Sequence, residues 1–257
     1  MRSQVPAAAR TLRVLSYLAT QPEPVPLEQL ARAVGMPRSS AYHLVNVMIA
    51  EGFVTHVADD RRYGLGVAAF EVGSGYTRQV PLQRLARRPL VELVDRLGES
   101  GHLAALHGCD VLYVLEERAA GRATLVTDVG VRLPAQLTAS GRAILSRLPP
   151  AQVRALFPDR ESFVTRRGVG PASLSALNAL LVEVRQLGYA TEDGDVTAGL
   201  SSIAAPVLDP SEHPIASVAV TFESGRGPGT DRVVDAVLGT ARLLSDRVRG
   251  RRTADHG

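Results

Sequence analysis

At 257 residues, with 45% hydrophobic and 21% charged side chains, the chain is too long for one ordinary domain and too apolar to be disordered, so two domains of unequal size are expected. No apolar run approaches the roughly 18 to 20 residues of a membrane span. The N-terminal MRSQVPAAARTLRVL lacks a signal-peptide core, and the single cysteine, Cys109, excludes an internal disulfide or a thiolate metal cluster, which points to a cytoplasmic protein. The net charge is only +3, all 29 basic residues are arginine, as a GC-rich genome favours, and eight arginines stand against six acids up to Gln79; a nucleic-acid partner must therefore be argued from where charges sit.

The first helix is expected from about Ala7 to Thr20, with Leu12, Leu15 and Ala19 on one stripe and Val14 and Leu18 beside it. Pro22, Pro24 and Pro26 stop it. A second helix restarts at Leu27, carries the apolar set Leu27, Leu30, Ala31 and Val34, and ends at Gly35. The third begins after Pro37, which suits a first-turn position. At 100° per residue Ala41, Leu44, Val45 and Met48 share one face, and Ser39, Tyr42, His43 and Asn46 lie opposite. After Gly52, FVTHV, the turn ADDR and RYGLG read as two short strands around a charged tip. Helix, helix, turn, helix and hairpin make a winged helix-turn-helix. In that arrangement the third helix lays its polar face in the major groove and the tip, with Arg61 and Arg62, reaches the backbone or minor groove. The plainer alternative, a helix pair with one face merely in water, is outweighed by the hairpin in register and the hydrogen-bonding side chains.

Residues 67–80 read as a connecting helix or linker interrupted by Gly73 and Gly75, and an amphipathic helix follows from Leu82 to Leu97. HLAALHG, DVLYVLEER and ATLVTDVG read as strands. TASGRAILSRL is a helix ending at Pro149-Pro150, and another runs from about Ser173 to Leu187. SSIAAPVLD and HPIASVAVTF are further strands, and the last helix spans about Asp231 to Arg249. This second domain is α+β, with an antiparallel sheet as its frame. Residues 251–257 read as a loose tail. No catalytic or metal site is expected. Ser140 lacks the G-x-S-x-G elbow and partners at triad spacing. His102 and His107 sit an odd number of residues apart on one strand and so point to opposite faces. TEDGD lacks the roughly twelve-residue calcium-loop pattern and reads as a solvated loop with one ligand-facing carboxylate.

GMPRSSAYHLVNVMIAEGFV with YGLG behind it, then LPAQLTASGRAILS, then LGYATEDGDVTAGLSSIAAPVLD, in this order and spacing, resemble the isocitrate-lyase-regulator (IclR) family of bacterial transcription factors across nearly the whole chain. The resemblance implies a winged helix-turn-helix DNA-binding domain over 1–66, a linker helix over 67–80 and a profilin-like or GAF-like effector-binding domain over 81–250. It implies a homodimer or homotetramer on pseudo-palindromic operator DNA, more naturally a repressor, modulated by a small organic effector and needing no cofactor. Arg38, Ser39, Ser40, Tyr42, His43, Asn46, Arg61 and Arg62 are the expected DNA contacts. Carried over residue by residue, the effector cup has its floor at Ala139 and Ser140, whose backbone N–H groups can hold an anion. Its walls fall at Glu192, Ser202, Ala219 and Thr221, and Leu125 is a lid. The chain departs from the family pattern at His43 (a frequent arginine), Gln136 (histidine), Arg142 (lysine), Gly194 (glutamate), Ala219 (serine) and Glu192 (aspartate). A longer carboxylate and a lost hydroxyl imply a ligand other than the small keto acids of some members. The competing function is a metabolite-binding or enzymatic α+β protein whose helix-turn-helix serves only in dimerisation.

Overall fold

The computed structural model describes residues 5–57, 60–72, 81–121, 127–166, 168–225, 227 and 229–254. They fall into two compact units that divide between Val80 and Pro81.

The first unit contains α1 (Pro6–Ala19), β1 (Val25–Pro26), α2 (Leu27–Ala33), α3 (Arg38–Ala50), β2 (Val54–Val57), β3 (Arg62–Leu65) and a helical stretch at 67–72, α4. Helices α2 and α3 end alike. Gly35, at φ 63°, donates its N–H to Arg32 while Met36 reaches back to Ala31; Gly52, at φ 74°, donates to Ile49 while Phe53 reaches back to Met48. This paired return needs a left-handed residue, which glycine adopts without penalty, and it folds Met36 and Phe53 onto the core. Pro37 is the N-cap of α3, one residue before the first-turn position expected for it. On α1 the buried line is Val14 and Leu18, while Leu12 is 65% exposed. Apolar residues fill two adjacent lines of that helix, and contact with α2 and β3 selects the second. The sheet has a third strand that the prolines hid. Val25 and Pro26 pair with Tyr63 and Arg62 at the edge, where a residue without an N–H is tolerated.

The second unit contains α5 (Pro81–Leu97), β4 (Ser100–His107), β5 (Asp110–Glu117), β6 (Arg132–Pro134), α6 (Ala139–Arg147), α7 (Pro150–Leu156), α8 (Leu174–Leu187), β7 (Ala190–Asp193), β8 (Leu200–Leu208), β9 (Pro214–Glu223) and α9 (Thr230–Ala254). The strands form one antiparallel sheet in the order β6-β5-β4-β9-β8-β7. Helices α5 and α9 cover one face through Leu90, Leu93, Leu103, Val220, Val237 and Leu244. Helices α6, α7 and α8 cover the other through Ile144, Leu145, Phe157, Leu177 and Leu181.

Three expectations need correction, and one further helix was not foreseen. Residues 127–130 of ATLVTDVG are not strand, 122–126 lie outside the described residues, and the edge strand is β6 instead. The Pro149-Pro150 pair that ends α6 also starts α7, with Pro149 as N-cap and Pro150 in the first turn, where a missing N–H costs nothing. TEDGD does not open as a solvated loop: Ala190–Asp193 is edge strand β7, with Ala190 and Glu192 buried and Thr191 and Asp193 outside. The last helix runs to Ala254, through the start of the expected tail, since Gly250 inside a helix costs only about 0.5 to 1 kcal/mol.

Candidate functional site

In the first unit, α3 separates its residues as its periodicity dictates. Ala41, Val45 and Met48 are buried, whereas Arg38, Ser39, Ser40, Tyr42, His43, Asn46 and Val47 are exposed on the other side. Arg38 also forms an ion pair with Glu28 of α2 at 3.0 Å. The Tyr42 and His43 rings meet edge-on with centroids 5.9 Å apart. Arg61 stands at the hairpin tip, exposed and left-handed at φ 51°. Arg62 is half-buried and donates one guanidinium N–H to the Pro24 carbonyl at 3.0 Å, so it also ties β3 to the segment before β1.

In the second unit, strand register builds a cavity. Ala190, Ala204, Ala219 and His102 lie in one row across β7, β8, β9 and β4. Three methyl side chains in that row let α6 approach closely, through Ala139 and Ala143. The adjacent row is polar: Glu192, Ser202, Thr221 and Ser100. Between that row and the start of α6 lies a small cavity with about 20 Å3 of enclosed space, on the order of one water, which opens to solvent. Tyr113, Thr127, Thr138, Ala139, Ser140, Glu192, Val196, Thr197, Leu200, Ser202, Ala219 and Thr221 line it.

The helix start is held open toward the cavity. Thr138 caps α6 by accepting the Gly141 N–H at 2.9 Å. This leaves the first two helical N–H groups, those of Ala139 and Ser140, without intrahelical partners. Gly141 is required sterically, because a Cβ there would stand 2.1 Å from the Ala135 carbonyl oxygen. Next to it, Arg142 is 4% exposed and braces three pieces of the wall. Its guanidinium donates to the carbonyls of Gln136 and Thr191, each at 2.8 Å, and to the Asp195 carboxylate.

Glu192 is the titratable group of this wall. Its Oε2 accepts the Asp195 N–H at 3.0 Å and its Oε1 accepts the Ser202 hydroxyl at 3.3 Å. Burial, with Asp195's charge adding to it against the hydrogen bonds, pushes its carboxyl up to about 7. Burial also pushes the Tyr113 phenol above its usual range, opposed by a hydrogen bond with Ser140 and reinforced by Glu192. Behind Tyr113, the buried His102 packs edge-on against that ring at 5.6 Å, and burial, then the Arg118 charge, bring it down to about 3.

Six of the seven expected effector residues, Ala139, Ser140, Glu192, Ser202, Ala219 and Thr221, thus line one cavity; the seventh, Leu125, lies outside the described residues. Sequence reasoning missed Tyr113, Thr127, Thr138, Val196, Thr197 and Leu200. Thr138 carried a readable signal as a capping residue before a helix, and Val196, Thr197 and Leu200 fall within the third motif. Tyr113 had none. Leu103 pairs with Leu115 but Ala104 pairs with Tyr113, so Val114 is an extra residue that sends Tyr113 and Leu115 to opposite faces despite their even spacing.

Two family models match the chain. Residues 7–58 match the IclR helix-turn-helix domain and residues 74–246 the bacterial transcriptional regulator IclR C-terminal domain. The chain is 29% identical over 252 residues to the glycerol operon regulatory protein of Streptomyces coelicolor, covering 95% of this chain and 97% of that one. It is 26% identical over 222 residues to the transcriptional repressor IclR of Escherichia coli, covering 85% and 80%. A crystal structure of an IclR homologue from Microbacterium hydrocarbonoxydans, complexed with 4-hydroxybenzoate, superposes with a TM-score of 0.81 at 21% identity, covering 95% of this chain and 99% of that one.

Proposed function

Because this chain belongs to the IclR family of bacterial transcriptional regulators, we propose that it represses its target by binding a pseudo-palindromic operator as a dimer or tetramer in the cytoplasm, and that a small organic metabolite in the Glu192 cavity sets its affinity for that operator. The observation that carries this reading is the gathering of six residues from α6, β7, β8 and β9 around one cavity with free helix N–H groups. Arg38, Ser39, Ser40, Tyr42, His43 and Asn46 supply the groove contacts, and Arg61 and Arg62 the backbone or minor-groove contacts. Two-fold symmetry relates the half-sites. The exposed Val67, Phe70 and Val72 of α4 favour self-association, as apolar side chains on one short helix gain by being covered. The domains run over 1–66 and 81–250, joined by 67–80. While Glu192 is ionised the effector's anionic end lies at Ala139 and Ser140, and the effector prefers one placement of the two domains, which shifts operator affinity. Reciprocity then requires operator DNA to change effector affinity by the same factor. The test is titration calorimetry of a metabolite panel, with 4-hydroxybenzoate as its first member, into wild type and Glu192→Ala, with and without the gene's own upstream DNA. A ligand that binds both proteins equally, or is indifferent to DNA, would sink this assignment.

A further inference from the structure

Glu192, Ser202 and Thr221 are direct cross-strand neighbours, and their side chains form a chain of hydrogen bonds along the cavity wall. Ser202 donates to Glu192 at 3.3 Å, and the Ser202 and Thr221 hydroxyls lie 3.0 Å apart. Each hydroxyl has one proton to give, which fixes the direction of the whole chain. With Glu192 ionised, Ser202 spends its proton on the carboxylate, Thr221 spends its own on Ser202, and Thr221 turns only lone pairs toward the cavity. With Glu192 protonated, the carboxyl donates to Ser202, Ser202 donates to Thr221, and the Thr221 proton is free to meet a ligand.

We infer that this row is a proton-addressed selector: the ionised wall accepts a ligand hydroxyl or amine, and the protonated wall donates to a ligand carboxylate or carbonyl. A carboxylate placed at Thr221 therefore takes one proton from solvent onto Glu192 wherever Glu192 starts ionised, and a ligand donor releases one proton to solvent wherever Glu192 starts protonated. The inference rests on the reading of this cavity as the effector site. The surroundings suit the switch. Among the described residues the titratable groups around Glu192 are Asp195 on the following loop, which pairs with Arg142 of α6, and Tyr113 on β5, which is hydrogen-bonded with Ser140. Strand β9 adds Glu223 opposite Leu200, and β8 adds only hydroxyls. Burial already holds the Glu192 carboxyl near the midpoint of its titration at neutral pH, so either state of the wall is within reach.

The test uses the full chain and two probes of one size, benzoate and benzyl alcohol, followed by NMR chemical-shift titration so that weak binding is still measured. Benzoate stays ionised throughout the range. If it binds only the protonated wall, its affinity falls about tenfold between about pH 6 and about pH 8, following the protonated fraction of a group titrating near 7. Benzyl alcohol should change in the opposite direction. Glu192→Gln, neutral at every pH, should bind benzoate with no pH dependence, and Thr221→Val should weaken both probes. Equal benzoate affinity at the two pH values, or a tenfold change surviving in Glu192→Gln, would overturn the selector while leaving the cavity as the binding site. Failure of both probes to perturb any cavity resonance would overturn the site itself and the selector with it.

Discussion

Arg38 and Arg142 each pair with a carboxylate, and the two pairs differ in almost everything else. Arg38 meets Glu28 at 3.0 Å with side chains 70% and 65% exposed. Arg142 meets Asp195 with side chains 4% and 17% exposed, and gives two more hydrogen bonds to backbone carbonyls. The first pair lies in water between the exposed faces of α2 and α3, and on the proposed reading Arg38 exchanges its partner for a phosphate or a base edge. The second is part of the wall of a cavity. The DNA-binding unit thus carries its chemistry outside its core, where residues can change without touching the fold. The effector unit carries its chemistry within its own packing, where a bound ligand and the protein's stability are coupled.

Removing the buried brace should produce the largest effect. Arg142→Met leaves the Asp195 carboxylate without its partner and should cost the effector unit about 3 to 5 kcal/mol, read by denaturant unfolding. A loss below about 1 kcal/mol would mean that the brace is held by solvent and that the two arginines are alike after all. On the other side of the comparison, Asn46→Ala should cost about 1 to 3 kcal/mol of operator affinity, concentrated at one base pair, with the unfolding midpoint unchanged. A uniform loss over all sequences would move Asn46 from base reading to backbone contact.

The pH dependence of stability should belong to the effector unit. His102, brought down to about 3 from an ordinary 6.5, is neutral in the folded state, so its contribution is present above 6.5 and is lost as pH falls through that interval. Glu192 acts in the opposite direction. Its carboxyl is raised from 4.5 to about 7, so the folded state holds the extra proton and stability declines as pH rises between those values. Thermal unfolding of Glu192→Gln should lose that decline, and an unchanged profile would show that Glu192 titrates normally. Arg38→Met should change stability by only about 0.2 to 1 kcal/mol, because an exposed pair gains little, while weakening DNA binding. Smallest of all, Arg61→Ala should leave stability alone and reduce the salt dependence of operator binding by about one unit of slope, measured by fluorescence anisotropy over a salt series.

Where local rules decide, the residues spoke for themselves. The 3.6 period of α3 determined which of Ala41, Val45, Met48, Tyr42, His43 and Asn46 lie in or out, because a helix fixes its faces through bonds between near neighbours. Gly35 and Gly52 marked the helix ends for the same reason. The three motifs determined the family and, residue by residue, half of the cavity lining. What lay beyond local rules was left to tertiary structure. Which of two apolar lines on α1 is buried depends on α2 and β3, and the Arg62 guanidinium serves the Pro24 carbonyl 38 positions away. Tyr113 enters the cavity only through a bulge visible once β4 and β5 pair. Residues 191–193 of TEDGD become strand only because β8 offers them an edge, and the same register sets Glu192, Ser202 and Thr221 in one row. Cross-strand neighbours are chosen by pairing between distant segments, a long-range choice that period and composition do not carry.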